Sequence, residues 1–339
     1  MYNKIISNIK PLGFTWQTND PFLFCVHHLD HYPEGNDAME PNASLEGRNL
    51  GQDFTTKDGW RMYHGETIPG FPAHPHRGFE TITVVLDGFV DHSDSHGASG
   101  RYGNGDVQWM TAGAGLQHSE MFPLLKKDEP NRLELFQIWL NLPAANKFVK
   151  PHYKMLWNND IPIHSENDEN GRKTDIRIIA GAYKEAMAPP PAPDSWAANP
   201  ENHVGIWLIK IEAWGIFTLP ADLPEMNRSL YFYRGAKISI EGIDIDPYNS
   251  IELMADQPAI IENGEDDAYL LLLQGMPIGE PVVQHGPFVM NSPEEIHRAF
   301  ADYRATQFGG WSWKRYDNIH SPTIGRFAKY DDGREEFPM

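Results

Sequence analysis

Four side chains able to ligate a metal stand in two pairs along one stretch of this sequence. His74 and His76 lie in F-P-A-H-P-H-R-G-F-E, and His118 and Glu120 lie in L-Q-H-S-E-M-F. In a strand, residues two apart point to the same face. Two strands carrying such pairs can therefore aim three imidazoles and one carboxylate at one point. Three neutral imidazoles and one carboxylate leave a divalent ion with a formal charge near ~+1, and an octahedral first-row metal would keep about two open positions. This mixed nitrogen and oxygen set suits Fe(II), Mn(II), Ni(II), Co(II) or Cu(II) better than thiolate-rich structural zinc sites do. A lone H-x-H is a weak motif; two pairs of the same parity, both among strand and turn signals, are much stronger. Glu80 shares the parity of His74 and His76 if the strand runs unbroken, so it competes with Glu120 for the carboxylate role.

The elements that must hold these residues read as strands. E-T-I-T-V-V-L runs into Asp87-Gly88, a hairpin signal, with F-V-D-H-S-D-S as the return strand. D-V-Q-W-M, L-Q-H-S-E-M-F and L-E-L-F-Q-I-W-L follow at short intervals, separated by turn clusters. This rhythm predicts an all-β barrel or sandwich. Phe79, Trp109 and Met110 lie near the motifs and serve either a pocket or the core; Trp109, opposite in parity to Gln108 and Met110, is assigned to the core. His27, His28 and His31 are assigned a loop or hydrogen-bonding role, because their spacing matches no tight metal motif.

The stretch 144–203 breaks the rhythm with polar runs and the Pro-rich A-M-A-P-P-P-A-P-D-S, read as a stiff surface loop. Strands resume at V-G-I-W-L-I-K-I-E-A and continue to A-Y-L-L-L-L-Q-G. This later set contains no H-x-H and no H-x-E, so no equivalent metal site is expected in it. At Asn291-Ser292-Pro293-Glu294-Glu295 a helix opens, with Ser292 as N-cap and Glu295 as its capping-box partner. Ile296, Ala299, Phe300 and Tyr303 form its apolar stripe, read as core packing. The tail after Trp313 is polar and is expected on the surface. The predicted division is 1–145 with the metal site, 146–290 without one, and 291–339 as helix and tail.

Composition narrows the function. The 339 residues carry a formal net charge of −19, which disfavours direct binding to a phosphate backbone. One cysteine, Cys25, excludes a disulfide framework and reads as a buried hydrophobe; a reducing, cytoplasmic setting fits it. M-Y-N-K-I-I-S-N-I-K-P-L-G-F shows no signal-peptide pattern, and no apolar run is long enough for a spanning helix.

The order H-x-H-x-x-x-E, a Gly-rich turn and a second histidine resembles the two motifs of the cupin superfamily. Longer segments are narrower in their resemblance: H-P-H-R-G-F-E-T (74–81), G-D-V-Q-W-M-T-A-G-A-G-L-Q-H-S-E-M (105–121) and E-P-V-V-Q-H-G-P-F-V-M-N-S (280–292) resemble the pirin family, as do the E-E-I-H-R-A-F-A-D-Y-R helix and F-G-G-W at 308–311. Regions 140–205 and 312–339 match least, through extra loop length and the acidic tail. The resemblance implies an all-β bicupin, two cupin-type barrels with metal in the N-terminal one, and a short C-terminal helix. It implies His74, His76, His118 and Glu120 as ligands, with Glu80 left as a pocket residue. Fe(II) is the metal it implies, with Mn, Ni, Co, Cu or Zn as substitutes. The implied activity is quercetin 2,3-dioxygenase-like ring cleavage of flavonols by dioxygen, with carbon monoxide release and Glu120 as base. Its alternative is an iron-binding redox sensor acting through a protein partner. Isomerisation, or regulation of a metabolic enzyme, is a third and weaker reading.

Overall fold

The computed structural model describes residues 5–338. It is built of strands, with one α-helix among the described residues. Contacts divide the chain into two units that interleave along the sequence. One combines 27–138, 142–158 and the chain from Glu280 onward; the other combines the chain up to Val26, 139–141 and 159–279. This grouping differs from the linear division at 145 and 290. An early strand, Ile6–Pro11, hydrogen-bonds to Asn249–Leu253 in the second unit, so sheet pairing draws distant segments together.

The first unit holds the motif residues. Its strands are β1 (Phe22–Tyr32, divided between the units at Val26), β2 (Gly70–His76), β3 (Phe79–Asp87), β4 (Phe89–Asp94), β5 (Ser99–Gly103), β6 (Val107–Thr111), β7 (Leu116–Met121), β8 (Asn131–Asn141, its last three residues in the second unit) and β9 (His152–Leu156). After Glu280 come β10 (Val283–His285), β11 (Phe288–Met290), α1 (Pro293–Thr306) and β12 (Phe327–Lys329). One sheet is ordered β9-β6-β3-β8-β1 and another β12-β5-β4-β7-β2. Val85, Leu133, Leu135 and Met155 of the first sheet pack with Val90, Tyr102 and Ala328 of the second in one buried cluster.

Two turn expectations are corrected. Asp87-Gly88 does not close a hairpin, because β3 and β4 belong to different sheets. Gly88, at φ +83, instead turns the chain from one sheet into the other, and β4 pairs with β5 and β7. Likewise β2 and β3 are not one continuous strand. Gly78 breaks them at φ +85, where an added Cβ would lie 2.0 Å from the Val289 carbonyl oxygen.

The tail is also corrected. β12 extends the sheet that holds β2 and β7 by pairing with β5, and Glu335–Glu336 pairs on its other side. Buried Arg101 forms a bidentate pair with Asp91 and donates to the carbonyls of His320, Ser321 and Ile324. A guanidinium with its donors satisfied this way fastens the tail to the barrel wall. The helix follows expectation: Ser292 and Glu295 form the capping box, and Ile296 and Ala299 pack with Phe288, Met290 and Phe308.

The second unit has a seven-stranded sheet, in which Lys173–Ala180, Gly205–Ile211, Ala268–Gly275 and Asn227–Arg234 are successive neighbours, and a four-stranded sheet containing Ile216–Leu219 and Ala259–Asn263. Aliphatic and aromatic residues of both sheets share one core, including Ile176, Trp207, Phe217, Leu230, Ile261 and Leu272. Cys25 is buried, as expected. No helix among the described residues is long and apolar enough to cross a membrane.

Candidate metal centre

The pairing of β2 with β7 brings the two motifs together. His74 stands opposite His118, and His76 opposite Leu116, after a bulge that absorbs the residues between Phe71 and His74. Directly opposed residues in an antiparallel pair share a face. One ligand nitrogen from each of His74, His76 and His118 lies within 4.8 Å of the others. Ring centroids are 4.5 Å apart for His74 and His118, 4.8 Å for His74 and His76, and 4.9 Å for His76 and His118.

Local bonds fix the rings. His74 Nδ1 donates to the Pro72 carbonyl at 2.8 Å, and His76 Nδ1 makes a longer contact of 3.4 Å with the Pro287 carbonyl. A ring that donates through Nδ1 keeps Nε2 as a lone-pair donor, the usual arrangement of a metal-binding imidazole. His118 is fully buried, and neither of its ring nitrogens has a hydrogen-bond partner. A buried, unsatisfied imidazole is costly, and a cation shared with His74 and His76 would satisfy it. Burial, reinforced for His118 by the neighbouring imidazoles, pushes all three basicities down, His74 to about 4 and the other two well below the usual imidazole value. The rings are therefore neutral and able to ligate at neutral pH.

Glu120 follows His118 on the same face of β7, opposite Phe71 on β2 and His92 on β4. Its carboxylate is not one of the three converging atoms. Four side chains donate to it: Thr83 Oγ1 at 2.9 Å, Tyr102 OH at 3.2 Å and Gln108 Nε2 at 3.5 Å to Oε1, and Gln137 Nε2 at 2.6 Å to Oε2. Burial raises its pKa, while His92 and the bonds from Thr83, Tyr102 and Gln137 pull it back.

Glu80 is elsewhere. The break at Gly78 places it on the other sheet, where Thr83, three residues later and of opposite parity, is the side chain that reaches Glu120. Glu80 Oε1 accepts from Thr111 Oγ1 at 2.6 Å. Phe79 sets its ring edge-on to His76, 5.0 Å between centroids, and Met110 packs with Ala112 and Leu116. Trp109 is fully buried, in keeping with its core assignment. His27 pairs with Glu134 and His28 with Tyr63, in hydrogen-bonding roles. One H-x-E precedes the later strands: His164 and Glu166, on Ile163–Asn167 of the second unit, contact each other at 3.3 Å, and Lys184 holds the carboxylate. No metal-holding group includes them among the described residues.

His92 was not among the sequence candidates. It is fully buried, its ring lies 5.6 Å from His118, and it stacks on Tyr153 at 4.8 Å and 5°. Its signal was available as His92-x-Asp94, a polar pair of one parity in a buried strand. Phe71 was also missed: it sits 6.3 Å from His74, in an aromatic cluster with Phe54, Tyr63 and Phe122.

Two family descriptions match the chain: Pirin over residues 14–140, and the Pirin C-terminal cupin domain over 207–309. A protein of Pseudomonas aeruginosa provisionally named quercetin 2,3-dioxygenase is 36% identical over 240 residues, 70% of this chain and 79% of its own length. Pirin-1 of Arabidopsis thaliana is 37% identical over 242 residues, covering 71% of this chain and 78% of its own. Among solved structures, a quercetin 2,3-dioxygenase from Acinetobacter baumannii superposes with a TM-score of 0.70 at 25% identity, over 90% of this chain and 98% of that one. Matches to both Pirin family descriptions, together with relatives 36–37% identical over about 70% of the chain, mean that this chain belongs to the pirin family of the cupin superfamily.

Proposed function

We propose that this chain is a metal-dependent dioxygenase that opens the ring of a flavonol such as quercetin, or of a similar aromatic enol. The observation that carries the reading is the convergence of three neutral imidazoles, buried His76 and His118 and partly buried His74, with His118 on the strand that also carries a caged carboxylate. His74, His76 and His118 would hold the ion, with Glu120 as the fourth ligand and Fe(II) as the first metal to test. A divalent first-row metal supplies Lewis acidity and redox partnership toward dioxygen. The names of the Pseudomonas and Acinetobacter relatives support this substrate class.

The chain's own residues do the rest. Thr83 and Tyr102 hold Glu120 Oε1, and Gln137 holds Oε2, so the carboxylate is oriented before substrate arrives. Glu120 accepts the proton of the flavonol hydroxyl as general base. Phe71, whose ring neighbours both His74 and the part-exposed Phe54, offers a flat apolar face for the aromatic rings. Phe79, edge-on to His76, shields that imidazole from water.

The test is aerobic incubation of quercetin with protein loaded in turn with Fe, Mn, Ni, Co or Cu. Loss of the flavonol absorbance with release of carbon monoxide is expected with at least one metal. No turnover with any of them would sink the catalytic reading and favour redox sensing through a protein partner.

A further inference from the structure

The second β unit contains a cavity of about 440 Å³ that the metal chemistry does not use. It is a cleft open to solvent, with exposed Met187 on its rim. Strand register shows how it forms. Trp207 stands opposite Leu272, and Leu272 opposite Leu230, and all three are core residues. One step along the same face, Gly205 stands opposite Gln274, and Gln274 opposite Arg228. Apolar filling stops at that layer: Gly205 has no side chain, and Gln274 and Arg228 are polar. Trp207 and Val204 line the apolar part of the space that remains, with Met187 and the prolines 189–191.

The Pro-rich run left over from the sequence is thus a wall of this cavity. The following turns are tied down. Ser195 and Asn199 cap short 3-10 turns, and Trp196 Nε1 donates to the Met276 carbonyl while Asn202 Nδ2 donates to that of Trp196. A stiff, pre-formed wall lowers the ordering cost of binding.

The other end of the cavity is polar and fixed. Arg228, itself buried, donates Nε to Gln274 Oε1 at 2.9 Å and a terminal nitrogen to the Pro220 carbonyl at 2.8 Å. The amide nitrogen of Gln274 then faces Asp222 Oδ2 at 3.5 Å. Asp222 Oδ1 receives His203 Nδ1 at 3.1 Å. His203 sits at φ +48, closing the turn before it with a backbone bond to Pro200. A non-glycine residue in that region is uncommon and marks a position its surroundings hold in place. Beside it, Asp222 is an acceptor-only carboxylate that lines the cavity.

We propose that this cavity is a second small-molecule site, separate from the metal centre, for a flat, neutral aromatic compound bearing a hydroxyl group. An indole ring and proline faces suit a flat ring, and the volume lies within the common range for ligand pockets of roughly 300–1,000 Å³. Asp222, oriented by His203, accepts a hydrogen bond from the hydroxyl, and because Asp222 lines the cavity whereas its buried countercharge Arg228 does not, an anion is disfavoured there. Occupancy does not depend on the bound metal or on turnover.

The probes are 2-naphthol, naphthalene and 2-naphthoate, titrated calorimetrically into the full chain with and without metal. Saturable binding of 2-naphthol is expected in both forms, with weaker binding of naphthalene and none of 2-naphthoate. Asp222→Asn should weaken 2-naphthol by roughly tenfold and leave naphthalene unchanged, as expected for loss of a bond to a charged acceptor. Ala198→Phe, at a lining position, should abolish binding of both. A crystal structure with 2-naphthol, expected to place the ring against Trp207, decides the matter even if Ala198→Phe fails to fold. Equal affinity for 2-naphthoate, wild-type affinity in a folded Ala198→Phe, or a ring found only at the imidazoles would overturn the proposal.

Discussion

Acidification of the metal-free protein should unfold it steeply, because four imidazoles, three buried and His74 partly so, take up protons only when the chain opens. Burial first, and neighbouring imidazoles as well, depress His28 to about 3, His74 to about 4, and His76 and His118 well below the ordinary value of 6.5. A depressed imidazole contributes stability that is present above its unfolded value and lost as the pH falls toward its folded value. Between about pH 6 and 5 each of the four is neutral when folded and largely protonated when unfolded. Each such proton difference gives a slope of about 1.4 kcal/mol per pH unit. Asp30 acts in the opposite direction: burial raises it from 3.8 to about 6, so the folded state holds a proton there that the unfolded chain has released. Four imidazoles less one carboxyl leave about three protons, or about 4 kcal/mol lost per pH unit. Glu120 and Asp106, also raised by burial, act like Asp30 and make this an upper figure. Total domain stability is only ~5–15 kcal/mol, so the fall is severe. Urea unfolding in the presence of a chelator at several pH values measures the slope. Saturating metal should lift every point by a similar amount, because the ligating rings are already neutral. A slope of about one proton or less, or metal affinity falling roughly tenfold per pH unit in this window, would refute the burial argument.

Glu120→Gln should lower metal content and abolish turnover, whereas Glu80→Gln should keep its metal; loss of metal in the Glu80 variant alone reverses the assignment, as bound-metal analysis would show. Thr83→Val removes a hydroxyl bond to a buried carboxylate, so a loss of roughly 1.5–3 kcal/mol in urea unfolding is expected with metal content retained. Gly78→Ala forces a side chain into a left-handed position against the Val289 carbonyl, and should cost at least about 2 kcal/mol by thermal or chemical unfolding. Arg101→Met leaves buried Asp91 without its bidentate partner and releases the carbonyls of residues 320–324; destabilisation of roughly 3–5 kcal/mol is expected, with faster proteolysis of the tail.

Much of the candidate site was legible because strand parity is local. His74 with His76, and His118 with Glu120, had to share faces once each pair lay in a strand. Glu80 shows the limit of that rule. Parity carries only as far as the strand does, and a single left-handed glycine at position 78 ends it. Asp87-Gly88 was a correct turn signal attached to the wrong consequence, since a two-residue turn can join strands of one sheet or pass between two. The capping box at Ser292 and Glu295 was readable for the reason parity was: all its partners lie within a few residues.

The hydrogen-bond cage around Glu120 had no such signature. Thr83, Tyr102, Gln108 and Gln137 come from four strands in two sheets, and only closure of the barrel gathers them. The same holds for His92 stacked on Tyr153, for Arg101 beneath the tail, and for a proline run that proves to be a cavity wall. The sequence by itself determined the all-β class, the candidate side chains and the shared face of each pair, because these follow from alternation along single strands and from side-chain chemistry. Only the tertiary structure decided on which sheet Glu80 and Glu120 each lie, what holds the Glu120 carboxylate, and where a second cavity opens, because those depend on register between strands far apart in the chain.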